Sequence, residues 1–105
     1  MGWVRVADAR TIPPGTGRTV LAGGRRLALF NEGGELFALD DTCPHPGASL
    51  GEGLLVGGIV ICPWHSWTFD VRSGQCPKAP EVAVRSYPTR RAGDGVEVEV
   101  PEDLG

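Results

Sequence analysis

The chain has 105 residues, is 41% hydrophobic and carries a formal net charge of -3. That suffices for one domain, residues 1–105, with a modest core, and is too short to hold a substrate domain beside a cofactor domain. Sixteen Gly and nine Pro disfavour long helices, and the mild acidity gives no electrostatic footing for nucleic acid or an anionic membrane. In chain order, WVRVA (3–7) alternates apolar and polar residues as a strand does. GTGRT (15–19) lacks the lysine and spacing of a phosphate loop and reads as a turn. RRLALFN (25–31) and ELFALD (35–40) flank EGG as the two arms of a hairpin. The run GLLVGGIVIC is about half the length of a membrane span and is broken by Gly-Gly. Within it, GIVIC (58–62) reads as a buried strand that delivers Cys62. SWTFDV (66–71) runs into the turn signal RSGQ, and VAVRSYPTR (82–90) runs into AGDG before VEVEV (96–100), whose valines should face inward and glutamates outward. Turns at such short spacing predict an all-β fold, a small antiparallel sandwich or open barrel. The opening residues contain no apolar stretch of signal length, so a cytoplasmic protein with reduced thiols is expected.

The chemistry is concentrated in two loops, about 41–50 and 62–69. The chain has two histidines and three cysteines, and both histidines and two of the cysteines lie there: Cys43-x-His45, residues 46 to 61, then Cys62-x2-His65. Two thiolates and two neutral imidazoles are good ligands for a soft or borderline metal. Pro44 and Pro63 stiffen the loops, and Pro46 with Gly47 turns the chain back after His45. A zinc site is one reading. However, zinc knuckles usually separate paired ligands by two to four residues, and a single intervening residue better suits ligands that serve two metals.

CPHPGASLGEG and ICPWHSWTFDVRSG resemble the motif of Rieske 2Fe-2S proteins, in which two His replace two Cys on one iron. The likeness covers nearly the whole chain and implies the Rieske fold, a β domain with a two-loop cluster-binding subdomain. It also implies that Cys43 and Cys62 hold the inner iron, and His45 and His65 the outer, more exposed one. Such a cluster has a formal charge of about zero, against roughly two negative charges with four thiolates, so it accepts an electron more readily.

The same resemblance bears on tuning. Members from respiratory complexes carry a disulfide between the loops and two hydroxyls that hydrogen-bond the cluster. Here the disulfide positions hold Ala48 and Trp64, and the hydroxyl positions hold Trp67 and Phe69. Fewer donors predict a potential near the bottom of the Rieske range of roughly -150 to +300 mV. Ser66 stands where many ferredoxins have Gly and could offer a replacement hydrogen bond. Trp64 is expected to shield the cluster, and Pro80 matches the family's third, proline-bearing loop, with an ordinary turn as the equal alternative.

Other residues carry less. Cys76 has no ligand spacing and reads as a structural or oxidation-sensitive thiol. Gly51, Gly53, Gly57 and Gly58 read as turn and packing positions. The arginine pairs 25–26 and 90–91 and the acidic stretch from Glu97 to Asp103 read as solvated faces or docking patches. The functional expectation is a monomeric, one-electron ferredoxin, not itself an enzyme, that takes electrons from a flavoprotein reductase and passes them to an oxygenase. The alternatives are the small subunit of an NADH-dependent assimilatory nitrite reductase, whose chains share features of LALFNEGGELFALDDTCPH, and a zinc-stabilised interaction module. An oxygenase catalytic subunit would need further ligands for a mononuclear iron, and both histidines are already committed.

Overall fold

The computed structural model describes residues 2–42, 48–63 and 67–100. Among these residues twelve strands follow in chain order: β1 (Gly2–Asp8), β2 (Thr16–Ala22), β3 (Arg25–Glu32), β4 (Glu35–Asp40), β5 (Leu54–Val56), β6 (Ile59–Ile61), β7 (Thr68–Asp70), β8 (Gln75–Cys76), β9 (Ala79–Ala83), β10 (Ser86–Tyr87), β11 (Thr89–Ala92) and β12 (Gly95–Val100). Short 3-10 turns at Ala9–Thr11 and Leu50–Glu52 are the helical elements among the described residues. All pairings are antiparallel, and the strands form open sheets in the orders β1-β12-β11, β10-β4-β3-β2, β5-β6-β7 and β8-β9. The expected all-β antiparallel fold is therefore present, as stacked open sheets rather than a closed barrel.

The sheet β10-β4-β3-β2 is the middle layer. Ala28, Phe30 and Leu39 face one core, shared with Leu50, Leu55, Val60, Phe69 and Val71. Leu27, Leu29, Leu36 and Ala38 face the other, shared with Tyr87, Val96 and Val98. Leu27 through Phe30 are each 0% exposed. Burial on both faces explains why RRLALFN lacks clean alternation, whereas a strand covered on one face alternates. VEVEV does alternate as expected: Val96 and Val98 are buried, Val100 packs against the second core, and Glu97 and Glu99 stay half-exposed.

Much of the glycine content is turn chemistry. Gly23-Gly24, Gly33-Gly34 and Gly57-Gly58 each form a two-residue hairpin turn with both φ positive, between 58° and 101°. That conformation matches the strand twist, and residues bearing a Cβ rarely adopt it.

Two expectations need correction. GTGRT is not a turn beyond Gly15, because Thr16–Ala22 is strand β2, paired along its length with β3. Gly17 lies inside that strand because a Cβ there would collide with the Phe30 ring. The run 82–90 is also not one strand. Val84 N–H bonds to the Gly74 carbonyl, the Arg85 carbonyl accepts from Asp40, and the Pro88 carbonyl accepts from Glu99. The chain thus passes from β9 to β10 to β11 across three sheets, and Pro88, which has no N–H to donate, marks the last change of partner.

Candidate metal centre

β4 leads into Asp41 and Thr42, where the first loop begins. Thr42 bridges Ser49 in antiparallel fashion, and the Leu50 N–H bonds to the Asp41 carbonyl at 2.7 Å. These contacts bring together the two ends of the segment that contains residues 43–47. The second loop has a matching stem: Cys62, directly after β6, donates its N–H to the Trp67 carbonyl at 2.7 Å, just before β7. Both stems rest on the same apolar floor. Ala48 and Cys62, each 2% exposed, belong to one buried cluster with Leu50, Val60 and Phe69, and half-buried Trp67 packs against it.

Of the four expected ligands, Cys62 is placed: it is buried and in no disulfide. Cys43, His45 and His65 lie outside the described residues, as do Trp64 and Ser66. Phe69 is 0% exposed and pairs with Val60, so its ring helps form the floor. Pro80 is exposed on β9, in a strand rather than in the proline-bearing loop or the turn expected of it. Cys76 is buried in the cluster that contains Cys62, as expected of a structural thiol. Gly51 and Gly53 are packing positions: a Cβ on Gly51 would press on the Thr19 backbone, and one on Gly53 would meet the Ile61 carbonyl. Among the described residues no group of three or more His, Cys, Asp or Glu side chains is placed to hold a metal ion.

The structure adds two residues that the pattern reading missed, Asp40 and Asp41. Asp40 accepts a 2.6 Å hydrogen bond from the Tyr87 hydroxyl, with Arg25 3.6 Å away. Burial, followed by the hydrogen bond to Asp40, raises the Tyr87 phenol above its ordinary value of 10.0. Asp41 points inward with its side chain 1% exposed. Its carboxylate accepts from the Ser49 hydroxyl at 2.8 and 2.9 Å, the Thr19 hydroxyl at 3.0 Å and the Gly51 N–H at 2.9 Å. Arg26 supplies the countercharge at 3.2 Å. The available signal was the Asp-Asp pair directly before the first ligand motif, which alternation treats as loop polarity. The arginine pairs are engaged too: Arg90 stacks on Trp3 at 4.1 Å and pairs with Glu97 at 2.7 Å, and Arg91 donates to the Gly34 carbonyl.

A donor set of one Cys and one His per loop, on stems that share one dry floor, fits a group ligated from both loops at once. Comparisons with known proteins bear on what that group is. The family profile of the Rieske 2Fe-2S domain matches residues 2–88. The anthranilate 1,2-dioxygenase ferredoxin subunit of Burkholderia cepacia is 43% identical over 82 residues, covering 76% of this chain and 75% of its own. Cholesterol 7-desaturase of Xenopus laevis is 37% identical over 81 residues, and the match spans 18% of that longer protein. Among solved structures, a chain in the complex of reduced oxygenase and oxidised ferredoxin of carbazole 1,9a-dioxygenase superposes with a TM-score of 0.81 at 34% identity, covering 91% of each chain. A structure described as a nitrite reductase small subunit gives a TM-score of 0.81 at 24% identity, covering 95% of this chain and all of that one, a likeness of fold alone.

Proposed function

The chain belongs to the Rieske 2Fe-2S domain family, and from that membership we propose how its own residues serve a one-electron carrier. The protein is a Rieske-type ferredoxin that passes electrons to a terminal oxygenase. When bound, the 2Fe-2S cluster supplies reversible one-electron storage. In our reading, Cys43 and Cys62 hold the inner iron and His45 and His65 the outer one. Trp64, Ser66, Trp67, Phe69 and Pro80 form the surroundings, with Phe69 and Trp67 excluding water from below. The electron comes from a flavoprotein reductase, and the protein works as a monomer in the cytoplasm without catalysing a reaction of its own. The single domain 1–105 has no histidine beyond the two assigned.

The observation that carries this reading is the convergence of the two loop stems, through Ala48 and Cys62, on one buried cluster. It is tested on the purified protein by iron and sulfide content, visible absorption and electron paramagnetic resonance. Expected are two irons per chain and a red-brown colour, with a Rieske signal of low average g that His45→Ala and His65→Cys each abolish. A colourless protein with one zinc, or variants with unchanged spectra, would overturn the ligand assignment. The nitrite reductase alternative rests on shared fold, whereas the ferredoxin relative carries sequence identity over three-quarters of the chain.

A further inference from the structure

We infer that Asp41 is a positioning residue for the first ligand loop, acting through Ser49 to hold the ends of segment 43–47 at a fixed separation. The inference rests on the reading that Cys43 and His45 are ligands. Three consecutive residues on the far side of that segment bind Asp41: Ser49 through its hydroxyl, Leu50 through its N–H to the Asp41 carbonyl, and Gly51 through its N–H to the carboxylate. Thr19 fastens the same node to β2, with its hydroxyl 3.0 Å from Asp41 and 2.9 Å from Ser49. A buried carboxylate is costly unless its oxygens are satisfied. This one takes three donors and an arginine, all of which fix one stem.

The geometry is more than general stabilisation of a core. The node sits at the stem from which segment 43–47 departs, and Ser49 is both the bridge partner of Thr42 and a donor to Asp41. Loosening it lets the two ends of the ligand loop drift. A loop that binds metal through two residues separated by a single residue has little slack to absorb that. Groups that orient ligands from behind usually affect metal affinity by about 10- to 100-fold.

The test uses the full-length holoprotein and follows bleaching of the visible band in excess ferrous chelator, together with the resonance line shape. Asp41→Ala and Ser49→Ala are expected to lose the cluster about tenfold faster than the parent and to broaden its signal. Asp41→Asn, which keeps one acceptor oxygen, should lie between, and Ser49→Thr, which keeps the hydroxyl, should restore the parental rate. Asn31→Ala is the control. Asn31 is a buried polar tie between Ile12 and Gly34 near the opposite end of β3, and its loss should lower the melting temperature yet leave bleaching within about twofold of the parent. If Asp41→Ala does not fold, Ser49→Ala carries the test, because Asp41 then keeps Thr19, Gly51 and Arg26. A parent with a Rieske signal whose Ser49 and Asp41 variants bleach at the parental rate overturns this inference alone, and so does equal acceleration in Asn31→Ala. A parent that holds no iron overturns the ligand reading and this inference with it.

Discussion

Asp40 and Asp41 are neighbours on the chain with opposite tasks. One faces a half-open site and joins β4 to β10 through Tyr87, and the other is buried at the stem of the first loop. Tyr87 makes the first arrangement measurable, because it is the one tyrosine in the chain. Its folded-state pKa is raised by burial and by the bond to Asp40. The neutral phenol is therefore favoured in the folded state, and its contribution is fully present below about 10 and lost as pH rises through the folded value. Ultraviolet titration should show phenolate forming at higher pH in the folded protein than after denaturation. The urea midpoint should fall above pH 10 in the parent, and more shallowly in Tyr87→Phe.

At the scale of elements, β3 is the spine of the molecule. Leu29 and Phe30 are both fully buried, yet they point to different cores. Leu29→Ala and Phe30→Ala should therefore each cost about 2–5 kcal/mol, since each removes contacts and leaves a cavity. Leu21→Ala on β2, where the side chain is 64% exposed, should stay within about 0.5 kcal/mol. Equilibrium urea unfolding of the three variants checks this. A strand with one solvated face would show one cheap and one expensive truncation. The β5–β6 hairpin serves the site in a different way. Leu55 and Val60 pack inward while Cys62 follows directly after Ile61, so the strand that builds the floor also delivers the buried cysteine.

For the molecule as a whole, the midpoint potential is the property that function requires. Phe69 is buried without a hydroxyl, and Trp67, half-buried, carries no hydroxyl either. With no hydroxyl at either position to stabilise the reduced, more negative cluster, the midpoint should lie near the bottom of the Rieske range, roughly -150 mV. Protein-film voltammetry checks this, and a midpoint well above zero would show that donors outside Trp67 and Phe69 dominate. A low potential suits a carrier that discharges into an oxygenase, because the electron leaves the reduced protein readily.

Some of this was legible in the chain because its causes are local. The Cys-x-His and Cys-x2-His spacings state a ligand chemistry within a few residues. Gly-Gly pairs specify hairpin turns through backbone freedom at two positions, and VEVEV declares a one-sided strand by its own alternation. Other features depend on what a strand meets. GTGRT read as a turn because nothing beside Gly17 reveals that Phe30, thirteen residues on, needs the missing side chain. RRLALFN concealed a second buried face, and 82–90 concealed two changes of sheet, because both follow from partners supplied by distant segments. Asp41 is the clearest case. Its neighbours in sequence mark it as a polar loop residue, and only folding brings Thr19, Arg26 and Ser49 around it and turns an ordinary aspartate into the buried tie at the loop's stem.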